Sequence, residues 1–335
     1  MRLLKKYIII LMLFLSLVVL TSCKKDKNKI TIAEVTHSVF YTPQYVAIEK
    51  GFFKEEGLNI NLVLTSGADK VMAALLSGSA DIGLMGPEAT VYVYNEGAED
   101  FAVNFAQLTQ RAGDFLIARQ KINNFTWDMV KGKQILGGRK GGMPEMTLEY
   151  VLKKNGLNVG RDDNTKDVNV RTDVQFAALA GKFESGDGDF VILFEPTATN
   201  LELAGKGYVV ASNGAESGNI PFTAYSTLKS YMEKNPEILI KFTRALYKAQ
   251  QWVRTHTAKE IAEVIQPQFP ETSLDTLTKV MQRYIDIDAW TVTPYFSEDA
   301  LNKLMEIMIL ADELEKKVPF SRLVNNEFAN KVISE

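Results

Sequence analysis

The chain has 335 residues, 46% of them hydrophobic and 24% charged, which is ordinary globular composition with length for two domains. Its 38 basic and 41 acidic residues leave a net charge of −3 with no basic stripe carrying interleaved aromatics, so nucleic-acid binding has no support. A single cysteine excludes a disulfide framework, and the two histidines, His37 and His256, lie too far apart in sequence to read as a metal-ligand pair.

The N-terminus reads as an export signal. Met1-Arg2-Leu3-Leu4-Lys5-Lys6 is a cationic start, residues 7–20 form an apolar run, and Thr21-Ser22-Cys23 closes it. A run of this length is too short to span a bilayer and fits a secretory signal over residues 1–22. The small-small-Cys ending resembles the bacterial lipobox. That resemblance implies a lipoprotein, acylated at Cys23 with palmitate-type chains and held on the extracytoplasmic face of the membrane. Removing Arg2, Lys5 and Lys6 with the signal takes the net charge from −3 to −6. Residues 23–29, rich in lysine, read as a polar linker with too little apolar surface to fold.

From residue 30 onward short apolar strands alternate with helices, the pattern of α/β layers around parallel sheets. Residues 30–35 read as a strand. Thr42-Pro43 reads as a cap and first turn of a helix reaching Lys50 and stopped by Gly51. Strands are expected at 58–64 and 81–85, helices at 70–76 and 88–95, and two further strands of the first sheet at 101–108 and 115–119. A second unit follows: strand 134–136, a glycine-rich loop 137–142, helix 144–154, strand 168–170, helix 175–183, strand 189–194 and strand 208–211. The chain then returns to the first unit through 220–225 and ends in helices over 236–255, 258–266, 273–285 and 297–314. The expected organisation is one lobe from 30–119 and 220–335 and a second from 120–219, joined by two crossings.

The segment Ala47-Ile48-Glu49-Lys50-Gly51-Phe52-Phe53-Lys54-Glu55-Glu56-Gly57-Leu58 closely resembles the opening of the ABC-importer substrate-binding proteins for sulfonates, taurine, nitrate and thiamine-pyrimidine precursors. Leu76-Ser77-Gly78-Ser79-Ala80-Asp81-Ile82-Gly83, Phe194-Glu195-Pro196-Thr197-Ala198 and Asn235-Pro236-Glu237 agree with it, so the likeness covers nearly all of the mature chain. The resemblance implies a two-lobed, hinged periplasmic-binding-protein-like fold of type II with C-terminal helices. It also implies a non-catalytic monomer that hands a small nutrient to a permease and its ATPase, with no cofactor. Two readings from other classes accompany it: a tethered ligand sensor, and an enzyme like the thiamine-pyrimidine synthase of the same superfamily. That synthase carries a cysteine-rich motif, whereas Cys23 is the only cysteine here.

Ligands of open parallel sheets bind beyond the carboxyl ends of the strands, where helix N-termini present free N–H groups. That rule selects the loop with His37, Phe40 and Tyr41; Gly86, Pro87 and Glu88; Gly138, Arg139, Gly141, Gly142 and Met143; and Glu195 with Pro196, and the return segment around Tyr225 is a fifth contributor. The glycine loop lacks the Gly-Lys-Ser/Thr ending of a P-loop and the spacing of a dinucleotide fingerprint. Glu88 and Glu195 would oppose a bare anion. With the aromatics Phe40, Tyr41, Tyr45, Tyr92, Phe194 and Tyr225 nearby, they suit a flat, amino-bearing heteroaromatic ring such as a pyrimidine precursor of thiamine. Aliphatic sulfonates, taurine or a nitrate-type anion are the alternative ligands.

Overall fold

The computed structural model describes residues 28–335. The signal segment, Cys23 and most of the linker lie outside the described residues. The first sheet contains β1 (Lys29–Glu34), β2 (Asn59–Leu64), β3 (Ile82–Met85), β4 (Ala102–Thr109) and β11 (Thr223–Leu228), in the order β2-β1-β3-β11-β4. β1 runs parallel to β2 and β3, and β11 is antiparallel to both of its neighbours. The second sheet orders β10 (Tyr208–Ser212), β5 (Asp114–Ala118), β9 (Phe190–Phe194), β6 (Lys133–Leu136), β8 (Val168–Arg171) and β7 (Val159–Arg161).

β5 departs from the sequence expectation. The sequence expects it in the first sheet, yet it pairs antiparallel with β9 and β10 in the second. The chain therefore crosses between lobes at 110–113, not near 119. Phe115, Leu116 and Ile117 are all buried, and such a run is equally at home in the middle of either sheet. The second crossing lies between β10 and β11. The two crossings touch where Ile220 N–H donates to the Gln110 carbonyl (2.9 Å) and Thr223 N–H to the Thr109 hydroxyl (2.9 Å).

Helices cover both sheets. The first lobe carries α1 (Thr42–Glu49), α2 (Ala68–Leu76) and α3 (Glu88–Asn95), and the second carries α4 (Met143–Lys154), α5 (Leu179–Glu184) and α6 (Thr197–Leu203). α1 is not capped by Thr42 as expected. Thr42 is its first helical residue, and its hydroxyl donates back to the Val39 carbonyl at 2.6 Å. The stretch expected to be a helix from 175 begins as a 3-10 turn, Phe176–Ala178, before α5.

The trailing helices are α7 (Pro236–Thr255), α8 (Ala258–Ile265), α9 (Leu274–Asp286) and α10 (Glu298–Leu310). α7 packs on β11 and on the short turn after α1 by aromatic contacts of Phe242 with Tyr225 and Phe53. α10 stops short of the expected 314 because Asp312 turns to φ +55°, a conformation that closes the helix rather than continuing it.

Candidate functional site

The lobes face each other across a cavity of about 650 Å³, mouth included, within the usual size range of small-molecule sites. Its first-lobe wall comes from the loop before α1 (Tyr41), the loop after β2 (Gly67) and the loop after β3 (Gly86, Glu88). The second lobe contributes Gly138, Arg139, Gly142 and Met143 ahead of α4, Glu145 in its first turn, and Phe176 and Phe194; Phe222 stands on the return crossing. Most of these positions follow the carboxyl ends of strands, as open α/β sheets place their ligands.

Glu88 is the chemical centre of this wall. It is 1% exposed, at the N-terminal turn of α3. Burial pushes its carboxyl up to about 7, against the lowering effect of the Arg139 guanidinium and of the Met143 and Ala89 N–H groups. Its Oε2 is buried without a hydrogen-bond partner among the described residues. A buried polar atom left unpaired costs about 1–3 kcal/mol, so this oxygen is a place where a ligand donor would be worth most. Gly86 is required beside it. A Cβ there would collide with the Glu88 carboxylate and stand 2.6 Å from Met143 Cγ.

The glycine loop approaches from the other lobe. Gly138 and Gly141 take φ of +83° and +70°, which L side chains rarely adopt. Their turn delivers Gly142 and Met143 to the N-terminus of the twelve-residue α4. Gly141 itself does not line the cavity. Its N–H donates to Glu145 Oε2 (3.0 Å), and its carbonyl accepts the Tyr92 hydroxyl of the opposite lobe (2.9 Å).

Four other expected contacts are placed elsewhere. His37 bonds Glu34 Oε1 and the Gln268 carbonyl, both at 2.9 Å, and the bond to Glu34 raises its pKa. Phe40 is core, packed against Phe194, Phe222 and Tyr284. Tyr225 is fully buried and donates to Gln44 Oε1 at 3.0 Å. Glu195 accepts from the Thr199 N–H and hydroxyl at 2.9 Å and pairs with Arg283 at 2.6 Å, so its carboxylate is already occupied. His37 and Glu195 border a neighbouring pocket of the same cleft. Pro87 precedes α3 without lining the cavity.

The sequence reading missed Gly67 and Phe176. Both lie on loops after parallel strands, so the rule that found the others, applied to β2 and β8, would have reached them. Glu145 gave no such signal, because its role depends on which way the first turn of α4 faces. Among the described residues no group of three or more His, Cys, Asp or Glu is placed to hold a metal ion.

Comparison with known proteins fits this architecture. A family model described as the NMT1-like family matches residues 24–266. The chain belongs to that family. This NMT1-like protein is 46% identical over 318 residues to the Bacillus subtilis protein named "Putative binding protein YtlA", covering 94% of each chain. It is 26% identical over 285 residues to the 4-amino-5-hydroxymethyl-2-methylpyrimidine phosphate synthase of Aspergillus parasiticus, covering 82% of this chain and 78% of that one. Among solved structures, the periplasmic nitrate-binding protein NrtA of Synechocystis PCC 6803 superposes with a TM-score of 0.72 at 14% identity. That match covers 92% of this chain and 89% of the other, and shows the same binding-protein fold.

Proposed function

We propose that this protein is the substrate-binding component of an ABC importer, exported and tethered through Cys23, and that it captures a flat, amino-bearing heteroaromatic nutrient between its lobes. The observation that carries the ligand class is the unpaired, buried Oε2 of Glu88 in an aromatic-walled cavity. A carboxyl that titrates near neutrality accepts an N–H when ionised and donates to a ring nitrogen when protonated. It can therefore pair with the N–C–N edge of an aminopyrimidine in either state. Tyr41, Phe176, Phe194 and Phe222 supply faces and edges for the ring.

The similarity to a pyrimidine phosphate synthase supports the same class of ligand, and the name of the YtlA relative supports binding over catalysis. Binding needs only differential affinity. A ligand held by Glu88 of one lobe and by Arg139, Met143 and Phe194 of the other stabilises the closed form, which a permease can recognise.

Arg139 and the glycine loop at the mouth of α4 favour a second reading, an aliphatic sulfonate or nitrate-type anion. Against it stands the Glu88 carboxyl in the same cavity, which would repel an anion unless protonated. Mass spectrometry of the small molecule carried by protein purified without refolding separates the two. The expected species is a nitrogen heteroaromatic; a sulfonate in its place overturns the ligand reading.

A further inference from the structure

Arg161, at the end of β7 on the edge of the second sheet, gathers acceptors from both lobes. Its Nε lies 3.0 Å from Glu145 Oε1 and also bonds Glu149, one turn further along α4. Its Nη1 lies 2.6 Å from Glu313 Oε1, and its Nη2 bonds the Ala311 carbonyl. Glu145 and Glu149 are buried in the second lobe. Glu313 and Ala311 follow α10, a segment anchored to the first lobe on both sides. Before it, Thr291 N–H donates to the Leu108 carbonyl at 3.1 Å; after it, Val324 bridges Asn104.

The α10 segment makes further cross-lobe bonds at the same edge, from Lys153 Nζ to the Leu310 carbonyl (2.7 Å) and from Lys303 Nζ to the Tyr150 hydroxyl (2.9 Å). An arginine that only stabilised the second lobe would need only Glu145 and Glu149. Here the guanidinium is divided between lobes, and one of its carboxylates reaches the cavity: Glu145 lines it and holds the Gly141 N–H with its other oxygen.

We propose that Arg161 is a positioning residue for ligand capture, latching the second lobe to the α10 segment of the first and, through Glu145, fixing the 138–142 loop in its ligand-facing form. The proposal rests on the reading of the interlobe cavity as the ligand site. Closing the lobes assembles the full set of acceptors around one guanidinium, and opening them strips it of Glu313 and Ala311. Closure and loop geometry are thereby coupled through a single side chain.

The test uses the full-length chain with Cys23→Ser and spin labels at Ser79→Cys and Lys166→Cys, exposed positions on the two lobes. Glu313→Ala removes the first-lobe carboxylate and leaves the buried pairs of the second lobe in place. Arg161→Ala removes the whole latch. In both variants the ligand-free interlobe distances are expected to shift to longer values. Dissociation of 4-amino-5-hydroxymethyl-2-methylpyrimidine is expected to accelerate about tenfold, a coupling within the usual allosteric range. Distances in Glu313→Ala that coincide with the parent overturn the latch, even if Arg161→Ala fails to fold. If the parent binds none of this pyrimidine, the ligand reading fails and the distances still decide the latch.

Discussion

Arg283 Nη1 lies 2.6 Å from Glu195 Oε1, and this pair makes Glu195 part of the frame between the lobes instead of a ligand contact. Glu195 is 1% exposed, while Arg283 also holds Glu202 at 2.6 Å. Above the pair, the Tyr284 hydroxyl accepts the Glu195 N–H and donates to the Gly113 carbonyl in the first crossing. Losing Glu195 leaves Arg283 paired with Glu202 but takes an acceptor from the Arg283 Nη1 and from the Thr199 N–H and hydroxyl. A buried polar group left unpaired costs about 1–3 kcal/mol. Glu195→Ala is thus expected to lower the stability measured by urea unfolding by about 1–3 kcal/mol. The dissociation constant of the folded protein should change little. Unaltered stability with lost binding would return Glu195 to the site.

Gly86→Ala tests the cavity wall from the side of its backbone. The new methyl meets the Glu88 carboxylate and Met143 together. One yields only by leaving the position that defines the cavity. Binding measured by calorimetry is expected to weaken at least about a hundredfold, the scale of a misplaced polar contact. Full affinity would show that the ligand sits elsewhere in the cleft.

Three buried carboxyls give stability a pH dependence of definite sign. Burial raises Glu88 and Asp114 to about 7, from ordinary values of 4.5 and 3.8. Burial and the neighbouring Glu149 also raise Glu145. The folded chain then binds more protons than the unfolded chain from about pH 4.5 to at least about pH 7, so these groups lower stability as pH rises through that window. Asp114 is paired only on one side, by Asn213 of the second crossing, and its Oδ1 has no partner among the described residues. Asp114→Asn is expected to flatten the profile and to stabilise the protein at about pH 8 by a few kcal/mol at most. A variant less stable than the parent at that pH would contradict the assignment.

Much of the fold was legible because each parallel strand is followed by its own punctuation. Gly86-Pro87 after β3 and Gly137-Gly138 after β6 mark where loops of the cleft begin, and Gly51 ends α1. What was not legible depends on partners distant in sequence. No local pattern says that β5 joins the second sheet, since a strand buried on both faces is a continuous apolar run whichever sheet it enters. Likewise His37 and Glu195 satisfy the strand-end rule, but Gln268 and Arg283, from trailing helical segments, bond them first. Glu88 escapes this fate because no basic side chain reaches its Oε2.

The tether is tested independently of the ligand. Cys23→Ser is expected to move the protein from the membrane fraction to the soluble extracytoplasmic fraction, because two acyl chains anchor far more firmly than residues 24–29 could. Retention of the variant on washed membranes would contradict lipidation at Cys23.

Calorimetric titration of the protein and of Glu88→Ala with 4-amino-5-hydroxymethyl-2-methylpyrimidine and with an alkanesulfonate tests the central claim most directly. The parent is expected to bind the pyrimidine and not the sulfonate, and Glu88→Ala to lose about 1.5–3 kcal/mol of that affinity, the range of a hydrogen bond to a charged group. Tight sulfonate binding without a pyrimidine signal would contradict the account.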